Sequence, residues 1–137
     1  MTFRVQKSVR FHHCDPAGIV FYPQYFVMFH ELLEDWFTDG LGIRYSELIG
    51  NQRRGIPTVK MDVDFIQASK LGDLLTFSLV VVKVGGSSIA LRLSAEKDGA
   101  PCVRIEQVIV LCDLDSLKPV RVDNVLRKKM LGFSLPG

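Results

Sequence analysis

A single carboxylate stands a few residues ahead of an apolar segment with helical periodicity. Asp15 opens the run Asp-Pro-Ala-Gly, and Tyr22 and Pro23 follow where the helical pattern begins. The first N–H groups of a helix have no partner within it and lie at the positive end of the helix dipole. Because Pro23 has no N–H, the donors would be Tyr22, or Gln24 and Tyr25. A carboxylate beside such donors is the arrangement that acyl transfer requires.

The same run also has a simpler interpretation as a turn. Asp-Pro-x-Gly is typical of turns in which the aspartate side chain accepts a hydrogen bond from the nearby backbone. The residue types alone do not choose between a catalytic carboxylate and a turn former.

Residues 12–15, His-His-Cys-Asp, are all of types that bind metals. Four adjacent residues on a short loop do not easily close one tetrahedron, and the sequence has no second cluster of such residues. Cys14 beside His13 could act as a thiol nucleophile with its base, but sequence neighbours rarely adopt that geometry. We therefore expect no metal site, and a structural role for Cys14.

The elements that would hold Asp15 follow from hydrophobic periodicity. Residues 3–11 alternate as a short strand does, and residues 24–38 form an amphipathic helix whose broad apolar face needs a sheet to bury it. Four more segments have strand composition and are separated by turn residues such as Gly85-Gly86 and Asp98-Gly99: 59–65, 74–84, 87–97 and 102–112. A short helix over 44–51 and a terminal helix within 120–131 complete the prediction. This order predicts an α+β fold, with a five-stranded antiparallel sheet wrapped around a long central helix, in a single domain over residues 1–137.

Composition excludes several classes of protein. The 137 residues are 47% hydrophobic and 23% charged, with a formal net charge of +2, and they lack the concentrated basic face of a nucleic-acid binder. No apolar run is long enough to span a membrane, and the first residues lack the apolar core of a secretory signal. The three cysteines are odd in number and have no paired spacing, which favours free thiols. We therefore expect a cytoplasmic protein with no nucleic-acid partner and no membrane insertion.

The segment from His13 to Tyr25, HCDPAGIVFYPQY, resembles the active-site loop and helix start of the 4-hydroxybenzoyl-CoA thioesterase family. The predicted strand order agrees with that family over nearly the whole chain. The resemblance implies a hotdog fold and hydrolysis of an acyl-CoA thioester to the free acid and CoA, without metal or organic cofactor. It also implies that Asp15 is the catalytic carboxylate, as nucleophile or as base for water, and that the Tyr22 N–H polarises the thioester carbonyl.

We expect Gly18, His30 and Glu31 to contact the substrate. In the hydroxybenzoyl-specific enzymes that the segment resembles, the position of His30 carries an aspartate that recognises the phenol, so histidine argues against that substrate. Some hotdog thioesterases use a helix glutamate, which makes Glu31 the alternative catalytic carboxylate, although a solvated or interface role is its simpler interpretation.

Basic groups that could meet the CoA phosphates are not obvious from the sequence. The turn at Gly85-Gly86 lacks the arginines that the hydroxybenzoyl-specific enzymes use near this point. Arg53-Arg54 and Arg127-Lys128-Lys129 are the remaining basic groups, and their ordinary role is solubility.

Two other functions stay open. A hotdog protein could bind acyl-CoA without hydrolysis, although it would need no carboxylate at the thioester. A hotdog dehydratase would need an acid–base pair, for which His30 and Glu34 are the only candidates. In each case we expect a homodimer or homotetramer, because one five-stranded sheet leaves its edges uncovered. The family resemblance implies that the active sites form between subunits.

Overall fold

The main element of the fold is a five-stranded antiparallel sheet. The computed structural model describes residues 1–135. Its strands are β1 Phe3–Ser8, β3 Thr58–Phe65, β4 Leu74–Val84, β5 Ser88–Lys97 and β6 Ala100–Val110. They lie in the order β1-β4-β5-β6-β3, so β1 and β3 form the two edges. The short strands β2 (Arg54–Gly55) and β7 (Cys112–Asp113) form a separate two-stranded sheet that the sequence did not predict.

The long helix α1 spans Tyr22–Asp35 and continues into a π-helical turn, Trp36–Gly40. The predicted short helix is confirmed as α2, Tyr45–Gly50. The terminal helix α3, Asn124–Leu131, begins later than predicted, because the carboxylate of Asp123 accepts the Leu126 N–H at 2.8 Å and starts the helix there. No helix within residues 1–135 is long and apolar enough to cross a membrane.

The apolar face of α1 packs against the sheet, as its periodicity predicts. Its buried side chains are Tyr25, Met28, Phe29, Leu32, Leu33, Trp36 and Phe37. The rings of Phe29 on α1 and Phe77 on β4 meet edge to face with centroids 5.0 Å apart. Phe26, predicted on the same face, is only partly buried, because it lies at the border of α1 near the sheet edge at β3.

Three predicted boundaries differ from the structure. β1 ends at Ser8, and Phe11 is 83% exposed in a 3₁₀ turn. The Val9 N–H still donates to the Asp73 carbonyl at 2.8 Å, but the Asp73 N–H donates to the Lys70 carbonyl instead of returning a bond to Val9, so the strand pairing stops there. β6 begins at Ala100, directly after a two-residue turn at Asp98-Gly99 whose φ angles, +51° and +81°, match a type I′ hairpin. The turn after β4 is closed by Gly85 and Ser88, so its tip lies one residue later than the predicted Gly85-Gly86.

Candidate active site

The Asp15 loop is a small hairpin that ends at the start of α1. The Phe21 N–H donates to the His13 carbonyl at 2.9 Å, and the Asp15 N–H donates to the Ile19 carbonyl at 3.0 Å. At the tip, the Gly18 N–H donates to the Asp15 carbonyl at 2.9 Å. Gly18 has a φ of +78°, a conformation that favours glycine. The hairpin thus holds Asp15 across from Ile19 and brings it toward the first residues of the helix.

One carboxylate oxygen of Asp15 is held by the turn, and the other is not. Oδ1 accepts a hydrogen bond from the Ala17 N–H at 2.9 Å, as the turn interpretation predicts. Within residues 1–135, no hydrogen bond is formed to Oδ2, and the side chain is half-buried. The turn and the catalytic interpretation are therefore compatible, because the backbone orients the carboxylate and leaves one oxygen available to a reactant.

The first turn of α1 offers one N–H group next to this hairpin. Pro23 has no N–H, and the Gln24 N–H donates to the Phe21 carbonyl at 2.8 Å. Tyr22 is the first helical residue, so its N–H has no acceptor within the helix. Of the candidate N–H donors, Gln24 is therefore already bonded to the Phe21 carbonyl. Tyr22 is the candidate that directly follows the hairpin.

Ser69, a residue that the sequence analysis missed, connects the hairpin to the helix. Its carbonyl accepts the Val20 N–H at 2.9 Å, and its Oγ accepts the Tyr25 hydroxyl at 3.0 Å. Ser69 is only 1% exposed, and burial raises the pKa of Tyr25 while the Ser69 bond lowers it. The Leu71 N–H adds a bond of 3.0 Å to the Gly18 carbonyl. Because a buried tyrosine hydroxyl usually has a hydrogen-bond partner, the sequence could predict that Tyr25 forms such a bond. It could not predict that the partner is Ser69.

An exposed aromatic surface lies beside the Tyr22 N–H. The ring of Phe65, at the end of β3, lies 6.3 Å from Tyr22, 6.1 Å from Tyr25 and 6.3 Å from Phe26, measured between centroids. Phe65 is 53% exposed and Tyr22 is 59% exposed. Large aromatic side chains in contact with one another and with solvent form an apolar patch of the kind that binds ligands or partners.

His30 forms part of a polar group farther along α1. Its Nε2 lies 3.3 Å from Oε2 of Glu34, one helical turn away, and its ring meets that of Tyr45 edge to face at 6.0 Å. Burial, and then the charge of Glu34, raise the pKa of Tyr45. Because Tyr22, Phe26, His30 and Glu34 are spaced by four residues, they form one ridge along the exposed side of the helix.

The model of the thioesterase-like superfamily matches residues 9–130 of the sequence. The chain belongs to the thioesterase-like superfamily. A 1,4-dihydroxy-2-naphthoyl-CoA hydrolase from Nostoc punctiforme is 31% identical over 85 residues, which are 62% of this chain and 57% of the relative. The matched part thus spans little more than half the length of that protein.

Solved structures show the hotdog fold of this superfamily member. A 1,4-dihydroxy-2-naphthoyl-CoA thioesterase from Synechocystis superposes with a TM-score of 0.86 at 20% identity, covering 99% of this chain and 100% of that one. A hypothetical protein from Staphylococcus aureus in complex with CoA gives a TM-score of 0.87 at 14% identity, covering 99% and 87%. The fold and family that the resemblance of residues 13–25 implied are therefore confirmed.

Glu31 of this thioesterase-like chain faces away from the aromatic surface. It lines a cavity of about 370 Å³ between β1 and α1, together with His13, Met28 and six other residues. Asp15 is not among the residues that line this cavity. The hairpin therefore joins Asp15 to Gly18 and ends at Tyr22, whereas Glu31 and His30 lie on different sides of the helix.

The two histidines and the cysteine of the hairpin make local contacts. His12 and His13 have ring centroids 4.0 Å apart, and the Cys14 thiol lies 3.5 Å from the Arg10 carbonyl. In the part of the chain that the structure describes, no three His, Cys, Asp or Glu side chains are grouped to hold a metal ion.

The three arginines among the candidate phosphate-binding residues bond to groups of their own chain. Arg53 pairs with Asp115 at 3.1 Å, and Arg54 pairs with Asp113 at 3.3 Å. The guanidinium of Arg127 donates to the carbonyls of residues 84 and 85 at 2.8 and 2.7 Å. These three arginines stabilise the loops and the β4–β5 turn of their own chain.

Proposed function

We propose that this chain hydrolyses the CoA thioester of an aromatic acid to the free acid and CoA. The observation that supports the proposal is the hairpin: it carries Asp15, whose second carboxylate oxygen accepts no hydrogen bond within residues 1–135, and it leads directly into Tyr22, the first residue of the helix. The names of the relatives, 1,4-dihydroxy-2-naphthoyl-CoA hydrolases, and the structural neighbour in complex with CoA support a CoA thioester as substrate.

Two chemical routes use the same atoms. As a nucleophile, the free oxygen of Asp15 attacks the thioester carbon, the C–S bond breaks, CoA leaves as a thiolate, and water then cleaves the mixed anhydride. As a general base, Asp15 takes a proton from the water that attacks. In both routes the Tyr22 N–H donates to the carbonyl oxygen as negative charge develops there. A thiol with a pKa of about 8.5 leaves without a strong general acid.

The ridge along α1 supports an aromatic acyl group. An acyl chain whose carbonyl meets the Tyr22 N–H runs past Phe65 and Phe26, both of which present ring surface. His30 lies eight residues beyond Tyr22, about 12 Å along the axis at about 1.5 Å per residue, and its side chain leans back toward the N-terminus. His30, oriented by Glu34, is therefore the substrate contact that meets a hydroxyl at the far side of an aromatic ring. Glu31 faces the opposite cavity, and we keep it as the alternative carboxylate only.

Gly18 forms the tip of the hairpin and leaves the space above it free of side-chain atoms. A Cβ placed on Gly18 would meet no atom within 4 Å, so the region above the hairpin tip is open to a ligand. We infer that the substrate passes over Gly18 as it approaches Asp15.

A second copy of the chain completes the site. The aromatic surface at the start of α1 is open to solvent in a single chain, since Tyr22 and Phe65 are both more than half exposed. The nearby edge strand β3 is long and exposes apolar side chains, among them Val59 (62%), Met61 (37%) and Phe65 (53%). Such an edge is suited to pairing with another strand. We infer a homodimer in which two β3 strands pair and the partner covers the aromatic surface.

The charges on β3 select the register of this pairing. The Ile66 N–H donates to the Cys102 carbonyl on the β6 side, so by alternation the N–H and C=O groups of residues 61, 63 and 65 point to the free edge. A two-fold axis at Met61 places Lys60 opposite Asp62 of the partner subunit. An axis at Asp62 instead places two aspartates face to face, and an axis at Lys60 two lysines. Because like charges directly opposite destabilise a sheet, the axis at Met61 is favoured.

We also infer one domain over residues 1–137 and a cytoplasmic location. Cys14, Cys102 and Cys112 are all free, which suits a reducing compartment.

A dehydratase is the second candidate, and one observation favours it. His30 and Glu34 form an imidazole–carboxylate pair at 3.3 Å, the type of acid–base pair that a dehydratase needs. Both side chains are about half exposed, at 52% and 42%, and they lie far along the helix from the Tyr22 N–H. A thioester carbonyl held at Tyr22 would therefore lie distant from this pair.

The experiment is a panel of CoA thioesters with aromatic, short-chain and long-chain acyl groups, in which release of the CoA thiol is followed. The proposed function predicts release with hydroxylated aromatic thioesters above all, and a His30→Ala variant that loses preference for them over the benzoyl thioester. Binding of the thioesters without thiol release would support the binding protein instead. Hydration of a 2-enoyl-CoA that is lost in Glu34→Gln would support the dehydratase.

A further inference from the structure

His13 joins the two ends of the Asp15 hairpin and the chain that enters it. Its imidazole Nδ1 accepts the Arg10 N–H at 2.9 Å, and its carbonyl accepts the Phe21 N–H at 2.9 Å. Phe21 is the residue directly before Tyr22, so this second bond fixes where the helix starts. The residue is only 7% exposed, although the tip of the loop that follows it is exposed at Pro16 and Ala17. His13 therefore bonds through its side chain to the chain that enters the loop, and through its backbone to the residue that precedes α1.

The bond to Arg10 requires the neutral form of the imidazole. A ring nitrogen accepts a hydrogen bond only when it carries no proton, so the proton of His13 must be on Nε2. In the protonated imidazolium both nitrogens are donors, and Nδ1 would then face another donor, the Arg10 N–H. Protonation of His13 therefore breaks one of the two bonds by which the residue holds the hairpin.

The surroundings of the ring favour its neutral form. Burial lowers the pKa of His13 below its ordinary value, and the neighbouring His12 lowers it further. Glu31 acts on it from α1 in the opposite direction, whereas Arg10 beside it and Lys7 on β1 again oppose the charge. Since the pKa is lower in the folded chain than in the unfolded one, the folded state loses stability as the pH falls through the range between the two values.

We propose that His13 is a positioning residue for the proposed hydrolysis, whose neutral imidazole holds the hairpin so that the free oxygen of Asp15 and the Tyr22 N–H face the same thioester carbonyl. The proposal rests on the proposed function of Asp15. It gives His13 a role that is neither metal ligand nor base, and it explains why a histidine is buried in this loop.

Three variants test the proposal. His13→Asn retains an acceptor near the position of Nδ1 but does not titrate, and His13→Phe retains a ring without an acceptor. His12→Asn is the matched control, because His12 is exposed and its side chain, which lies against the His13 ring, forms no hydrogen bond within residues 1–135. For each variant kcat and KM are measured between about pH 5 and pH 8, the range in which histidine titrates.

The wild type should lose kcat only at a pH below the ordinary histidine value of about 6.5, because the pKa of His13 is lowered. His12→Asn should keep this acid limb but show it at a higher pH, because His12 no longer lowers the pKa of His13. His13→Asn should keep most of its kcat at neutral pH and lack this acid limb. His13→Phe should lower kcat about 10- to 100-fold at every pH while KM changes little, because a displaced catalytic group affects the transition state more than binding. A His13→Asn variant with the acid limb of the wild type, or a fully active His13→Phe, overturns the proposal.

Amide hydrogen exchange separates this proposal from the proposed function. If no thioester in the panel is hydrolysed, the function of Asp15 fails, but the N–H groups of Asp15 and Phe21 still report on the hairpin. Their exchange should be faster in His13→Phe than in the wild type, and restored in His13→Asn. Unchanged protection in His13→Phe would show that His13 does not position the hairpin. Should His13→Phe not fold, the acid limb of His13→Asn alone decides.

Discussion

The hydroxyl of Tyr25 donates a 3.0 Å hydrogen bond to Oγ of Ser69, which lies 44 positions farther along the chain. Tyr25 belongs to the first turn of α1, and the Ser69 carbonyl at the same time holds Val20 of the hairpin. The bond is buried, so a lost partner leaves a polar atom without water. The position of the hairpin relative to the helix start therefore depends on a residue distant from both in sequence.

We expect Tyr25→Phe to lower the free energy of unfolding by about 1–2 kcal/mol, because the buried Ser69 hydroxyl then loses its donor. Ser69→Ala should cost a similar amount, and the double variant should cost less than the sum of the two. Urea unfolding followed by circular dichroism measures all three. Strictly additive effects would show that the bond contributes nothing to stability.

Asp15→Asn should lower kcat by about 10²- to 10⁴-fold with KM nearly unchanged, because it removes a transition-state role and little ground-state binding. Asparagine keeps an oxygen that accepts the Ala17 N–H, so the turn survives. Steady-state kinetics on the best thioester of the panel measures the effect. The control is Glu31→Gln, expected to be mild because Glu31 faces another cavity. If Glu31→Gln were inactive and Asp15→Asn active, the catalytic carboxylate would be Glu31 on the helix and the assignment of Asp15 would be wrong.

In a Cys14→Ser background, Met61→Cys should form a disulfide-linked dimer under mild oxidation, because the proposed axis places the two copies of residue 61 opposite each other. Val59→Cys is the control, since two copies of residue 59 would lie about 13 Å apart at about 3.3 Å per residue. Non-reducing electrophoresis separates the two outcomes. Cross-linking through residue 59 alone would contradict the proposed register. A fully active monomer in light scattering would contradict the proposed dimer.

Hydrolysis should continue in the presence of a chelator and after thiol blocking. The proposed chemistry uses only a carboxylate, a backbone N–H and water, and the Cys14 thiol points to the Arg10 carbonyl. Rates before and after treatment, together with Cys14→Ser, test the expectation. Complete loss of activity in Cys14→Ser would contradict the assignment of Asp15.

The sequence predicted most of the elements because their signals are local. The apolar stripe of α1, the alternation of β3 and the type I′ pair at Asp98-Gly99 each depend on residues a few positions apart. Where prediction missed, a specific hydrogen bond decided. The pairing of β1 stops after Val9 because the Asp73 N–H donates to the Lys70 carbonyl, and α3 starts late because Asp123 caps it. The Asp15 candidate also came from a local pattern, a carboxylate before a helix start.

By itself, the sequence determined the α+β order of elements, the buried face of α1, and Asp15 with Tyr22 as the candidate site, since spacing along the chain encodes all three. Only the tertiary structure decided that Oδ2 of Asp15 is the unbonded oxygen, that Ser69 and His13 hold the hairpin, and that Arg53, Arg54 and Arg127 are engaged within their own chain. The reason is physical. Hydrogen bonds and ion pairs between residues distant in sequence depend on how the elements pack together, and that packing follows from the whole core rather than from any local pattern.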